Sequence, residues 1–265
     1  MASIEFKTAV AMGDLILVYS LMEQIKNKYS EIRLCPDYSL IDLYRKSSKE
    51  NLAFSKQMVA LIFDAPYYKI LDKSNEKVLY TANLANKLHL RTKYVDLRSK
   101  LCLPTKVDIG TDNYIVVHTK IRDLSQPNFE LVKKQAYDMI RNTKKKIVIM
   151  GERFMDKGAS VTIYNDLMGL VKGKDYLDLT KETIIFDPDI NMLKRDSALI
   201  RDSKGLITFG ICGGVVFGSI VSNIMAGFRK DDAGFWNWFD KGVNANKLIT
   251  SDTKAFLDMV RKITQ

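Results

Sequence analysis

The chain alternates between short apolar runs and amphipathic stretches, a pattern that predicts a parallel sheet covered by helices. The first strand is predicted at Ile4–Val10, followed by a turn and a helix from about Asp14 to Lys28. Apolar residues recur in this helix at the spacing of one packed face, at Leu15, Val18, Met22 and Ile25. A second strand at Glu31–Leu34 then leads through Cys35-Pro36-Asp37 into a helix that extends to Tyr44.

The middle of the chain has a weaker pattern. Helices are predicted at Phe54–Phe63 and Leu84–Leu101, and short strands at Tyr68–Leu71 and Val78–Tyr80. Pro104 and Gly110 stand in a polar stretch that we interpret as a linker.

A second alternation begins after this linker. Tyr114–Thr119 and Lys146–Met150 are near-continuous apolar runs, which is typical of strands buried on both faces. Further helices are predicted at Asn128–Asn142, Thr162–Val171, Asp189–Asp202, Val215–Met225 and from Asp252, and further strands at Tyr176–Leu179, Leu206–Phe209 and Leu248–Thr250. We therefore predict an α/β protein with two lobes, residues 1–105 and 112–250, and a C-terminal helix in 251–265.

Composition narrows the class of partner. Hydrophobic residues make up 46% of the chain, enough for packed cores, and the net charge of +10 favours anionic partners. The densest basic run is Lys144-Lys145-Lys146, which is either a solvated helix end or a binding patch. Nucleic acid is not an expected partner because no recognition motif is present and the charge is dispersed. A peripheral contact with an anionic membrane is a further expectation.

Metal and disulfide chemistry are not expected. The three cysteines, Cys35, Cys102 and Cys212, are isolated, and the chain has only two histidines. The first residues lack an apolar signal region, and no apolar run approaches the ~20 residues that span a bilayer. We expect a cytoplasmic protein without a metal or other cofactor.

Asp14 is the leading catalytic candidate. It follows a strand and a glycine, at the carboxyl edge of the predicted sheet, where open α/β folds bind their ligands. A carboxylate there can remove a proton from an acceptor hydroxyl. The alternative is that Asp14 only caps the helix, since aspartate is a favoured N-cap residue.

The segment Lys7-Thr8-Ala9-Val10-Ala11-Met12-Gly13-Asp14, followed by an amphipathic helix, resembles the opening of the heptosyltransferase-like bacterial glycosyltransferases. This resemblance implies two Rossmann-like lobes that face each other across a cleft, the GT-B arrangement, with the acceptor on the first lobe and the nucleotide-sugar donor on the second. It also implies that Asp14 is the catalytic base and that Met12 and Gly13 form the acceptor loop.

The second lobe carries the donor candidates. Tyr114–Arg122 resembles the strand and loop that open the donor lobe of that family, so Lys120 and Arg122 would stabilise the leaving diphosphate; the alternative is two solvated loop cations. Glu152 is either a ribose ligand or a surface glutamate. His118 is interpreted as a buried core histidine.

A glycine-rich turn contains Gly210, Gly213 and Gly214 and can present backbone N–H groups to phosphate, or can be glycine-rich for steric reasons alone. Here the chain departs from the family, which usually has Asp-Thr/Ser-Gly followed by histidine.

The sequence thus predicts a metal-independent glycosyltransferase that moves a sugar from a nucleotide-sugar donor to a hydroxyl on a glycan or glycolipid acceptor. Two alternatives stay open. One is an enzyme of the sugar-nucleotide epimerase type on the same fold, and the other is a non-catalytic basic protein that binds nucleic acid or membrane.

Overall fold

The computed structural model describes residues 2–10, 12–38, 49–72, 88–90, 97–122, 128–153, 160–180, 190–209, 224–228 and 247–265. The chain divides into two compact units, and the division along the sequence lies mainly between Leu101 and Cys102. The predicted domain ranges 1–105, 112–250 and 251–265 remain predictions, as does the arrangement of two lobes across a cleft.

The first unit is a small parallel α/β unit. Its described elements are β1 (Ser3–Ala9), α1 (Met12–Ile25), β2 (Glu31–Asp37), α2 (Lys49–Ile62), β3 (Tyr68–Ile70) and the short α3 (Arg98–Leu101). The strands pair in parallel in the order β1-β2-β3. Helix α1 turns its predicted apolar face inward, since Leu15, Val18, Met22 and Ile25 are buried.

The second unit is larger and has the alternation that the sequence predicts. Its described elements are β4 (Tyr114–His118), β5 (Lys120–Arg122), α4 (Phe129–Asn142), β6 (Lys146–Met150), β7 (Ser160–Thr162), α5 (Tyr164–Val171), β8 (Tyr176–Asp178), α6 (Ile190–Asp202), β9 (Leu206–Thr208), β10 (Met225–Phe228), β11 (Lys247–Thr250) and α7 (Thr253–Thr264). The main sheet is parallel, in the order β11-β10-β9-β4-β6-β8. If these six strands are renumbered along the chain, from β4 as strand 1 to β11 as strand 6, the order is the doubly wound order 3-2-1-4-5-6.

Because the strands of this sheet are parallel, their carboxyl ends lie at one edge and their amino ends at the other. We call these the carboxyl edge and the amino edge. The order reverses between the neighbouring strands β4 and β9. The strands that follow β4 in the order, β6 and β8, lie on one side of this pair, and β10 and β11 lie on the other. This reversal places the topological switch point of the second unit at the carboxyl ends of β4 and β9.

The core of the second unit lies between the sheet and helices α4, α5 and α7. Alternate strand residues such as Ile115 and Val117 belong to this cluster, as period-two alternation requires. Helix α7 contributes Phe256, Val260 and Ile263, all fully buried. Burial of each such side chain contributes about 1.5–3 kcal/mol before the entropy of folding is counted.

Several predicted elements are confirmed and others are wrong. The predicted strand at Lys146–Met150 has the same bounds in the structure, and the described strands and helices confirm the α/β class. The single helix predicted at Leu84–Leu101 is wrong, because Leu88–His89 forms a turn, His89 has a φ of 52°, and the helix begins only at Arg98.

Four boundaries differ for local reasons. Met225 opens strand β10 instead of ending a helix, and Thr162 ends strand β7 before α5 begins. Strand β2 continues through Cys35-Pro36-Asp37 because these residues pair with the end of β1. Helix α1 begins at Met12, so Met12 and Gly13 form its first turn and not a loop. The predicted strand at 78–80 and the helix that ends at Tyr44 lie outside the described residues.

Within the described ranges, no helix combines the length and the hydropathy needed to cross a membrane.

Candidate functional site

At the switch point of the second unit, polar residues end the two central strands or follow them. Thr119 follows β4, and His118 at the end of β4 lies opposite Thr208 at the end of β9. Open α/β sheets bind ligands in the crevice outside these strand ends. The predicted glycine turn, with Gly210, Gly213 and Gly214, directly follows Phe209 in the sequence and lies outside the described residues.

Thr119 joins the ends of β4 and β6 through its hydroxyl group. Thr119 is fully buried, and its Oγ1 accepts the backbone N–H of Glu152 at 2.8 Å. The same hydroxyl donates to the Glu152 carbonyl at 2.9 Å, and Thr162 donates to that carbonyl at 2.7 Å. Both backbone polar groups of Glu152, the N–H and the C=O, are therefore hydrogen-bonded, and this fixes the position of its backbone.

Gly151 lets these strand ends approach each other. Its φ is +112°, and a Cβ atom built there would lie 2.4 Å from Thr119 Oγ1 and 3.2 Å from His118 Cε1. A residue with a side chain would both strain the backbone and displace the hydroxyl that holds Glu152.

The carboxylate of Glu152 faces the side chain of Lys120. Their closest atoms, Lys120 Nζ and Glu152 Oε1, are 3.5 Å apart, and about one fifth of each side chain is exposed (21% and 20%). The structure thus brings together two of the predicted donor-site residues, one from the end of each of two neighbouring strands. Such a partly exposed pair contributes little to stability, about 0–1 kcal/mol.

His118, the last residue of β4, is 7% exposed, which confirms the prediction of a buried histidine. Its Nδ1 atom accepts the backbone N–H of Lys120 at 3.3 Å. A neutral ring with Nδ1 as acceptor carries its proton on Nε2. The histidine therefore helps to fix where the Lys120 backbone leaves the sheet.

Arg122, the other predicted donor-site cation, ends strand β5. That strand pairs antiparallel with β7, and Arg122 lies opposite Ser160. This two-stranded extension was not predicted from the sequence. It carries Lys120 and Arg122 away from the main sheet, and only the backbone of Arg122 is described.

A second polar cluster connects the ends of β6 and β8. Arg153 donates to Asp178 Oδ2 at 2.9 Å and to Thr180 Oγ1 at 2.8 Å, and the hydroxyl of Tyr164 also donates to Asp178 Oδ2, at 2.9 Å. Burial alone would raise the pKa of Asp178. The hydrogen bonds from Thr180 and Tyr164 and the charge of Arg153 outweigh it, so the pKa lies below its ordinary value. The cluster keeps an ionised carboxylate beside the predicted donor site.

In the first unit, Asp14 is the third residue of α1, just beyond the carboxyl end of β1. An N-cap precedes the first helical residue, so a helix that begins at Met12 does not place Asp14 at the N-cap. Met12 and Gly13 belong to the same helical turn, and the side chains of all three residues lie outside the description. The role of Asp14 therefore stays a prediction.

Sequence reasoning missed the residues that organise the carboxyl edge. Thr119, Gly151, Thr162 and Asp178 gave no motif, although each ends a strand or directly follows a strand end. A polar or glycine residue in that position is the signal that could have found them. Among the described residues, no group of three or more His, Cys, Asp or Glu side chains converges in a way that could hold a metal ion.

No protein-family model matches the chain, and no curated protein matches it. Among solved structures, it is similar to the bacterial iron-containing dodecameric glycosyltransferase TibC from enterotoxigenic E. coli, with a TM-score of 0.42 and 10% sequence identity. The alignment covers 99% of this chain and 73% of that one. Membership of the heptosyltransferase-like family therefore remains a prediction.

Proposed function

We propose that this protein is a glycosyltransferase that moves a sugar from a nucleotide-sugar donor to a hydroxyl group of a glycan or glycolipid acceptor, without a metal ion. The observation that carries the proposal is the Lys120–Glu152 pair at the switch point of a doubly wound sheet. A cation and a carboxylate in this position match the two ends of a nucleoside diphosphate, which are the phosphates and the ribose hydroxyls.

On the donor side, Lys120 neutralises the diphosphate and Glu152 accepts a hydrogen bond from a ribose hydroxyl. Both side chains are partly exposed and their closest atoms are 3.5 Å apart, so a ligand can replace this contact by better ones. Arg122 and the backbone N–H groups of Gly210, Gly213 and Gly214 supply further donors to the phosphates.

On the acceptor side, Asp14 acts as the general base. The acceptor hydroxyl gives its proton to Asp14 while its oxygen forms a bond to the anomeric carbon of the donor sugar. The bond between that carbon and the phosphate oxygen breaks, and its electron pair leaves with the nucleoside diphosphate. Lys120 and Arg122 stabilise the negative charge that grows on this leaving group.

The first test measures binding of the donor. Thermal unfolding is followed with a panel of nucleotide sugars and nucleoside diphosphates, in the wild type and in Lys120→Gln, Glu152→Gln and Lys254→Gln. We expect at least one nucleotide to raise the Tm of the wild type and of Lys254→Gln, whose lysine is 87% exposed on α7. The gain should shrink in Lys120→Gln and Glu152→Gln.

The second test measures turnover by release of nucleoside diphosphate. Asp14→Asn should lower kcat about 10²- to 10⁴-fold while the nucleotide still raises Tm, because a general base acts on the chemical step. Asp64→Asn, which removes an exposed carboxylate of the same unit, should keep the wild-type rate. Equal rates in Asp14→Asn and wild type would contradict the assignment of the base. Failure of every nucleotide to bind, with tight salt-sensitive binding of nucleic acid, would favour a binding protein.

A further inference from the structure

The amino edge of the second sheet is lined by lysines. Lys144 and Lys145 precede β6, Lys174 precedes β8 and Lys204 precedes β9. Since these strands are parallel and neighbour β4 or one another, their preceding residues come to the same edge. The basic run 144–146 is therefore part of a larger cationic region, which the proposed sugar transfer does not use.

This region contains a pocket of about 930 Å³ where helices α4 and α7 end. Met139 and Leu257 contribute apolar surface to it. Four carboxamides and three cations provide most of its polar groups, namely Asn113, Gln135, Asn142, Gln265, Lys144, Lys145 and Arg261. Asp138 is the one carboxylic side chain among its described lining residues.

Lys145 is a partly buried cation of this pocket and has no counter-charge among the described residues. It is half-buried, and its ammonium group forms no ion pair with a described residue. Two nearby carboxylates are already engaged, since Asp175 pairs with Lys146 at 3.3 Å and Asp258 pairs with Arg261 at 2.8 Å. Asp138 also lines the pocket, but Lys145 forms no ion pair with it in the described part of the chain. Burial lowers the pKa of Lys145, and the charge of Lys204 lowers it further.

The position of Lys145 is not explained by a role in stabilising the ends of helices α4 and α7. Cations often neutralise the last carbonyls of a helix. Here, however, the Thr143 hydroxyl donates to the Thr264 carbonyl at 2.6 Å, and Lys174 Nζ donates to the Thr143 carbonyl at 3.4 Å. Within the described part of the chain, Lys145 Nζ makes no hydrogen bond to either helix end. Its partly desolvated charge thus costs stability and has no partner among the described residues.

We propose that this pocket binds a phosphate-bearing anion, with Lys144, Lys145 and Arg261 as the cationic ligands. Arg261 retains donors for a ligand, because a guanidinium has five N–H groups and its contact with Asp258 uses only part of them. The carboxamides of Asn113, Gln135 and Asn142 bind the remaining oxygens or hydroxyls. The phosphate belongs either to a soluble metabolite or to the headgroup of an anionic lipid. The pocket lies at the opposite edge of the sheet from Lys120 and does not depend on the proposed transfer reaction.

The test uses Lys145→Gln and, as its matched control, Lys254→Gln, which removes the same charge from α7 outside the pocket. Each substitution is combined with Lys120→Gln in the same protein, so that the proposed donor site contributes little to phosphate binding. Calorimetric titration with inorganic pyrophosphate examines the soluble source. Sedimentation with vesicles of phosphatidylglycerol, compared with phosphatidylcholine, examines the lipid source.

We expect Lys145→Gln to weaken binding of at least one phosphate source about 10- to 100-fold and Lys254→Gln to leave it nearly unchanged. Loss of pyrophosphate binding identifies a soluble ligand, and loss confined to phosphatidylglycerol vesicles identifies a lipid headgroup. The Tm of Lys145→Gln should not fall, because the substitution removes an uncompensated charge. Equal binding by both variants, no binding of either source, or a lower Tm in Lys145→Gln would overturn the proposal.

Discussion

The two edges of the second sheet differ in whether a partly buried lysine has a partner of opposite charge. At the carboxyl edge, Lys120 faces Glu152, whose backbone is held by Thr119. At the amino edge, Lys145 is half-buried in a pocket wall beside another lysine. Among the described residues, the first edge pairs its cation with a carboxylate, and its topology is the one at which open α/β sheets bind ligands. The second edge carries a cation without a described counter-charge, which is the observation behind the proposed phosphate site.

The largest expected difference between the edges concerns two glycines with positive φ. Gly151 at the carboxyl edge has a φ of +112°, and Gly173 at the amino edge has a φ of +79°. Alanine at either position strains the backbone, but only at Gly151 does a new Cβ atom overlap a neighbour, Thr119 Oγ1. We expect Gly151→Ala to lower the free energy of unfolding by about 2–4 kcal/mol and Gly173→Ala by about 1 kcal/mol. Urea denaturation measures both, and equal losses would show that the carboxyl edge is not tightly packed.

A smaller difference separates two buried threonines. Thr119→Val and Thr143→Val each remove a hydroxyl that binds the backbone, so each should cost about 1–3 kcal/mol. Only Thr119→Val should also weaken nucleotide binding, because Thr119 positions Glu152. Thr119→Ser should restore that affinity. Titration with the nucleotide that stabilises the wild type gives the comparison, and parallel losses in both valine variants would assign Thr119 a structural role alone.

The smallest expected effects have opposite signs. Lys120→Gln removes a partner of Glu152 and should lower Tm by at most about 3 °C. Lys145→Gln removes a charge that has no partner among the described residues and should leave Tm unchanged or raise it. Thermal unfolding at low ionic strength separates the two variants best, because salt screens both effects. A fall of Tm in both variants would show that the charge of Lys145 stabilises the folded state, which would contradict this comparison.

Local pattern was sufficient where burial alone decides the structure. The strand Lys146–Met150 was predicted correctly because a continuous apolar run has little alternative to the centre of a parallel sheet. The helix predicted at Leu84–Leu101 failed because the positive φ of His89 interrupts it, and no turn residue such as glycine marks that position.

The candidate site could be anticipated only in part, because its contacts depend on distances between strands. Lys120 and Glu152 were found from their places after two strands, yet nothing in the sequence showed that they pair. Thr119 and Gly151 were missed because a hydroxyl and a missing side chain matter only when two strand ends meet. Likewise, the sequence does not distinguish the three lysines of the run 144–146 from one another. The structure separates them, since Lys146 pairs with Asp175 while Lys145 does not pair with a described carboxylate.

Helix α7 also has a consequence for how the protein is made. Its Phe256 ring lies against Phe209 and Phe228, with ring centres 5.7 Å and 5.1 Å away, and Ile263 fills the space above Gly205. All of these partners are translated before α7. Until α7 has emerged from the ribosome, Phe209 and Phe228 therefore lack the cover that Phe256 gives them in the folded unit. We expect the nascent chain to be a substrate for chaperones at this stage, and the second unit to reach its native packing only after α7 emerges.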